Sequence, residues 1–172
     1  MAKTLTMATI LAQIRGTYAN TSDGVTAAAN FSQSYTDSLA SGTSTAQADL
    51  FWDDARQVGV GADDDIDFAA GTCTDVFGAL LTFVEIRGIM IKNLETAAGE
   101  DLAIGGGGAS ELLAWVGAAG DYVVLHPDGL FVYTAPVDGS LPIVAGVTDM
   151  IRITGNGAAP IDYHIWVWGT SA

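Results

Sequence analysis

The residues able to do chemistry in this sequence are few and far apart. His126 and His164 are the only imidazoles. His126 precedes a proline in a turn sequence and His164 sits in an alternating strand pattern. No serine lies in a nucleophile-elbow context, so neither histidine gains the nucleophile that acid–base catalysis would serve. Cys73 is the sole cysteine. It allows no intrachain disulfide, and one cysteine with two histidines falls short of a four-ligand zinc site. Cys73 therefore reads as a small buried side chain.

Two segments imitate binding motifs. Asp63-Asp64-Asp65-Ile66-Asp67 gathers carboxylates of the kind Ca²⁺ prefers, with Asp63, Asp65 and Asp67 as candidate ligands and Asp65 and Asp67 on one side if the segment is extended. It lacks the spaced acids, central glycine and closing glutamate of an EF-hand, so a solvated loop is the better reading. Gly105 to Gly108 has the glycines of a phosphate cradle without its Lys-Ser/Thr, and reads as a flexible loop. Trp52, Trp115, Trp166 and Trp168 have faces that stack on sugars, yet core or interface is the commoner fate of tryptophan in β proteins. The chain reads as non-enzymatic, with no cofactor expected beyond the weak Ca²⁺ candidate.

The elements around these residues read as β. From Asp49 onward, short branched and aromatic runs are separated by Gly, Asp, Asn and Pro. Strands are expected at Asp49 to Trp52, Gln57 to Val60 and Ile66 to Phe68, and in the long run Ala79 to Asn93. There Val84 and Ile86 share one side and Glu85 and Arg87 the other, but Ile89 and Ile91 fall on the charged side. A period of two cannot switch faces unaided, which places a bulge or bend at Gly88. Ala109 to Val116 is the one segment read as helix, with Glu111 in its first turn and Gly117 as its stop. Tyr122 to Leu125 and Leu130 to Thr134 flank Pro127-Asp128-Gly129, a turn signal that predicts a hairpin with Gly129 accepting positive φ. Asp149 to Thr154 and Ile161 to Trp168 likewise flank Gly155 to Pro160. In the last strand Ile161, Tyr163, Ile165 and Val167 alternate with Asp162, His164, Trp166 and Trp168, so one face is core and the other carries two tryptophans that call for a second apolar layer or a subunit contact.

The expected fold is all-β: an antiparallel, jelly-roll-like β-sandwich over residues 46–172, with at most one short helix and an extended N-terminal arm over residues 1–45. The arm is rich in Ala, Thr, Ser and Asn, and its apolar residues show no clear period, as expected of an extended arm or short edge strands. Leu5, Ile10, Leu11 and Ile14 of the arm, with Trp166 and Trp168, are the candidate interface residues.

Composition bounds the function. A chain of 172 residues is one domain's worth. It has 49% hydrophobic but only 15% charged residues, a poor match to a monomer whose whole surface meets water. Six Lys and Arg against 20 Asp and Glu give a formal charge of -14, which repels phosphate backbones and argues against nucleic acid. No apolar stretch approaches the roughly 18 residues of a membrane span, and the N-terminus lacks a signal peptide's apolar core and cleavage site.

From Gly42 onward the sequence resembles a family of small β-rich virion proteins of long-tailed bacteriophages, the capsid decoration or cement type. The resemblance is carried by GTSTAQADLFWDDAR (Gly42 to Arg56), DVFGALLTFVEIRGIMIKN (Asp75 to Asn93), HPDGLFVYTAP (His126 to Pro136) and TDMIRITGNGAAPIDYHIWVWGTS (Thr148 to Ser171). It implies a virion structural protein on the capsid exterior, partnered by itself as a homotrimer and by the major capsid protein, with neither nucleic acid nor membrane as partner. Alternative placements are a tail, baseplate or fibre component of the virion, or a carbohydrate-binding module.

Overall fold

A computed structural model describes residues 5, 7–22, 25–108, 110–112, 114–137, 139 and 141–172. The N-terminal part holds β1 (Met7–Ser22), β2 (Val25–Ser41) and β3 (Gln47–Ala48). The body holds β4 (Leu50–Val58), β5 (Asp63–Asp67), β6 (Cys73–Thr74), β7 (Leu80–Leu81), β8 (Glu85–Asn93) and β9 (Asp101–Gly105), then β10 (Tyr122–Leu125), β11 (Leu130–Thr134), β12 (Met150–Asn156) and β13 (Ile161–Thr170).

The body is a sandwich of two four-stranded antiparallel sheets, ordered β10-β9-β12-β5 and β11-β8-β13-β4, while β6 and β7 form a small separate ribbon. Counting only the eight sandwich strands in chain order, the sheets run 5-4-7-2 and 6-3-8-1. That is jelly-roll topology, in which successive strands repeatedly cross between sheets. Alternation explains the core. Ile161, Tyr163, Ile165 and Val167 of β13 are all fully buried against Ile66, Leu102, Ile104, Ile151 and Ile153 from the opposite sheet.

Crossing between sheets also corrects both expected hairpins. β10 and β11 lie in different sheets, as do β12 and β13, so Pro127-Asp128-Gly129 turns a sandwich corner. The turn itself forms, with the Gly129 N–H donating to His126 O at 2.9 Å. The residue at positive φ is Asp128, at 57°, rather than Gly129. Buried Asn93 fastens the corner by donating from Nδ2 to Glu100 O and Leu125 O at 2.9 and 3.1 Å. A turn signature fixes chain reversal, not which sheet receives the next strand.

Three further expectations are refined. The first two expected strands merge into the single nine-residue β4. No helix forms among the described residues of 109–116: Glu111 bridges to Met150, and the Leu112 N–H donates to Met150 O at 2.9 Å, so this backbone is committed to β12. The break in β8 falls one residue before Gly88. Trp168 faces Gly88 and Gly169 faces Ile86, leaving Arg87 as the extra, bulged residue.

The N-terminal part is a long antiparallel hairpin. β1 and β2 pair continuously from Met7↔Ala40 to Ser22↔Val25. Its strands, of 16 and 17 residues, are far longer than edge-strand fragments. Among the described residues it meets the body at its base, through Leu39 and Ala48 beneath Trp168, with Leu5, Ala8, Ile10 and Met90 packed around them.

Candidate interaction surface

The sheet β11-β8-β13-β4 has an outer face, and the base of the arm lies on it. In register, Trp168 faces Gly88 and Phe51, and Trp166 faces Met90 and Asp53. Trp168 is buried there, whereas Trp166 stays half-buried at the rim. Between the arm base and this face runs an apolar groove of about 440 Å³ lined by Leu5, Ala8, Thr9, Ile10, Leu11, Phe51, Met90, Trp166 and Trp168. The second apolar layer expected outside β13 is thus supplied in part by the chain's own arm.

Five of the six candidate interface residues meet at this groove: Leu5, Ile10, Leu11, Trp166 and Trp168. Ile14 lies beyond it and is 69% exposed. Phe51 and Met90 were not singled out by sequence, since each shows its role only once its strand is paired.

The arm has a regular face that its irregular composition conceals. Pairing places Ala8, Ile10, Ala12, Ile14 and Gly16 of β1 on one side with Leu39, Asp37, Tyr35, Gln33 and Phe31 of β2. The opposite side carries Thr9, Leu11, Gln13, Arg15 and Thr17 with Ser38, Thr36, Ser34, Ser32 and Asn30. The first side seats the base on the body and then continues outward uncovered, with Tyr35 at 61% and Phe31 at 49% exposure. Phe31 lies over Gly16, where a Cβ would meet its Cζ at 2.3 Å. The missed signal is the period-two run from Phe31 to Leu39, in which Ser32, Ser34, Thr36 and Ser38 take every second place.

Charge divides along the same line. Residues 1–45 carry Lys3 and Arg15 against Asp23 and Asp37, so the arm is neutral. Four cations against eighteen carboxylates in residues 46–172 account for the whole net charge of -14.

The anchor of the arm is a buried charge. Arg87 is fully buried, with Nη1 2.8 Å from Glu85 Oε1 and Nη2 within 3.4–3.5 Å of the Ser44 and Thr43 carbonyls in the connection from arm to body. The bulge at Arg87 turns a guanidinium toward that connection.

The acidic run is occupied by the protein itself. Arg152 binds Asp65 bidentately at 2.7 Å and reaches Asp63 at 3.1 Å, and the Thr154 hydroxyl donates to Asp63 at 2.7 Å. Asp67 instead accepts the Ala69 and Ala70 N–H groups at 2.8 Å, away from the other two. Asp64 turns inward and accepts from Arg56 at 2.7 Å and from the buried Tyr163 hydroxyl at 2.6 Å, joining β5 of one sheet to β4 and β13 of the other. Burial alone would raise the Asp64 carboxyl, but the hydrogen bonds from Arg56 and Tyr163 outweigh it and hold the group below its usual range. Among the described residues no three His, Cys, Asp or Glu side chains converge as a metal would require.

The glycine loop does cradle an anion, and the anion is internal. Glu111 is buried beneath Gly105 to Gly108, and the Gly107 N–H donates to its Oε2 at 2.6 Å. Burial pushes the Glu111 carboxyl up, opposed by the amides of Gly107, Gly108 and Gly106 and by Arg152. Cys73 is fully buried, and burial pushes its thiol up to about 12. The two histidines lie apart: His126 pairs with Asp101 at 2.9 Å, and His164 pairs with Asp53 while stacking on Trp166 at 4.0 Å. Trp52 and Trp115 pack inward against Phe68 and against Phe131 and Tyr133.

A second apolar patch sits at the tip of the β6–β7 ribbon, where Val76, Phe77 and Leu80 are 70–78% exposed. Asp75 Oδ1 stiffens this tip by accepting the Phe77 and Ala79 N–H groups at 2.9 Å. No helix is long and apolar enough to cross a membrane among the described residues. No protein-family model, curated protein or solved structure matches this chain.

Proposed function

We propose that this chain is a non-enzymatic structural subunit of a tailed-phage virion, a capsid decoration protein that binds the outside of the shell as a homotrimer and stabilises it. The observation that carries this reading is the pairing of a jelly roll with a neutral arm whose apolar side continues uncovered past the body. Jelly rolls serve viral capsids and lectins alike, so the fold alone favours neither. The exposed apolar arm and ribbon tip are surfaces built to be covered, which favours assembly. The resemblance of Gly42 to Ser171 to small virion proteins supplies the virion.

The mechanism is mechanical. Packaged DNA strains the shell, and each bound trimer adds contacts across capsomer boundaries that rupture must also break. Several modest contacts to the major capsid protein combine by avidity. Apart from the buried Glu85, Glu111 and Asp149 and the inward-turned Asp64, the described carboxylates of the body are at least partly exposed, and neither nucleic acid nor membrane takes part. Electron cryomicroscopy of the virion that carries this chain tests the assignment: sandwich-shaped density is expected on the shell exterior, and density on the tail or baseplate contradicts it.

Carbohydrate binding is a second reading, favoured by Trp166 and His164 stacked beside Asp53 on an accessible sheet face. A glycan array separates the two, since decoration requires no glycan.

A further inference from the structure

We infer that the uncovered apolar side of the arm, centred on Ile14, Tyr35 and Phe31, is where two copies of this chain meet, arm against arm. This rests on the structural-subunit reading and names the surface that subunits use on one another.

Three observations select a second copy as the occupant. First, a two-stranded ribbon is at best marginally stable alone and needs a third layer on its apolar side. The body supplies that layer only at the base, around Leu39 and Trp168. From Ala12 to Ser22 the ribbon runs on for about 33 Å at the usual rise per residue without a covering layer among the described residues. Second, charge leaves copies one neutral route of approach. Bodies bearing the entire net charge of -14 repel one another, whereas the arms are neutral. Beyond Asp37 at the base, the described side chains of the apolar side are uncharged, and Arg15 lies on the opposite side. Third, the area suits a weak contact. Two strands about 10 Å wide over that length offer about 330 Å² of flat face, roughly two-fifths of what each partner gives a standard interface. The arms therefore associate reversibly in solution and are held firmly once the shell collects several copies.

The test is sedimentation velocity on the full chain from about 1 µM to about 1 mM, with near-UV circular dichroism to report the tryptophan-rich body, which lies away from the arm tip. The wild type is expected to associate with concentration, and more strongly as salt screens the bodies. Ile14→Asp with Tyr35→Asp should weaken association at least about tenfold by placing charges in the apolar contact. Gln13→Asp with Ser34→Asp, on the polar side, should leave it within about twofold. The milder pair Ile14→Gln and Tyr35→Gln covers the case in which the first variant loses its native dichroism. A wild type that stays monomeric throughout, or polar-side and apolar-side variants that behave alike, overturns the inference. Failure of the virion assignment is separate: it appears as normal association with no density on the shell.

Discussion

The indole of Trp168 lies across Gly88 so closely that a Cβ on residue 88 would meet Trp168 Cζ2 at 2.1 Å. The two residues are paired across β13 and β8, and the same indole forms the seat of Leu39 and Ala48 at the base of the arm. Glycine is required here for space rather than for an unusual backbone angle. An aromatic side chain covering a strand glycine in this way restores the packing that the glycine lacks.

Gly88→Ala is therefore expected to displace the indole and loosen the arm at its root. Overpacking of this kind costs about 1–3 kcal/mol. Thermal denaturation should show the loss, and limited proteolysis should cut within residues 1–45 faster than in wild type. Unchanged proteolysis would separate the arm from Trp168.

Arg87→Met leaves Glu85 buried beside an apolar side chain. Breaking a buried ion pair from one side costs about 3–5 kcal/mol, whereas replacing both partners is often close to neutral. Urea titration should show Arg87→Met strongly destabilised and Glu85→Leu with Arg87→Met recovering most of the loss.

Asp64 ties the two sheets together and titrates below its usual 3.8. A carboxylate with a lowered folded pKa stabilises the fold above its unfolded value and loses that contribution as pH falls through the folded one. Wild-type stability should therefore drop as pH falls below about 4. Asp64→Asn should cost about 2 kcal/mol at pH 7, the scale of hydrogen bonds to a charged group, and should flatten the acid limb.

Glu111 titrates in the opposite sense. Its folded pKa lies above the usual 4.5, so its contribution is fully present below that value and is lost as pH rises through the folded pKa. Glu111→Gln keeps an acceptor for the Gly107 N–H and removes the buried charge. Its melting point should exceed that of wild type at pH 8 and match it at pH 4.

These sites differ in how far the sequence discloses them. The alternation of Ile161 to Trp168 determines which face of β13 is core, because a period of two leaves no other choice. The fault near Gly88 is legible for the same reason. The role of Arg87 is not, since the connection that it holds lies more than forty residues away in sequence. The corner at Asp128 looks like any hairpin turn because its local chemistry is that of one. The side of the arm that matters was hidden by small residues: Ala8, Ala12 and Gly16 mark it only when read beside Leu39, Tyr35 and Phe31. Gly105 to Gly108 shows the reverse case, in which a motif that suggests an outside anion is filled from within by Glu111.

As proposed, this chain is an assembling part of a virion shell. A cryomicroscopy reconstruction of the virion that carries it tests this most directly. Jelly-roll density on the shell exterior, grouped about three-fold positions with hairpin arms in contact, is the expected result. Density confined to the tail, or a particle that lacks the chain altogether, would contradict it.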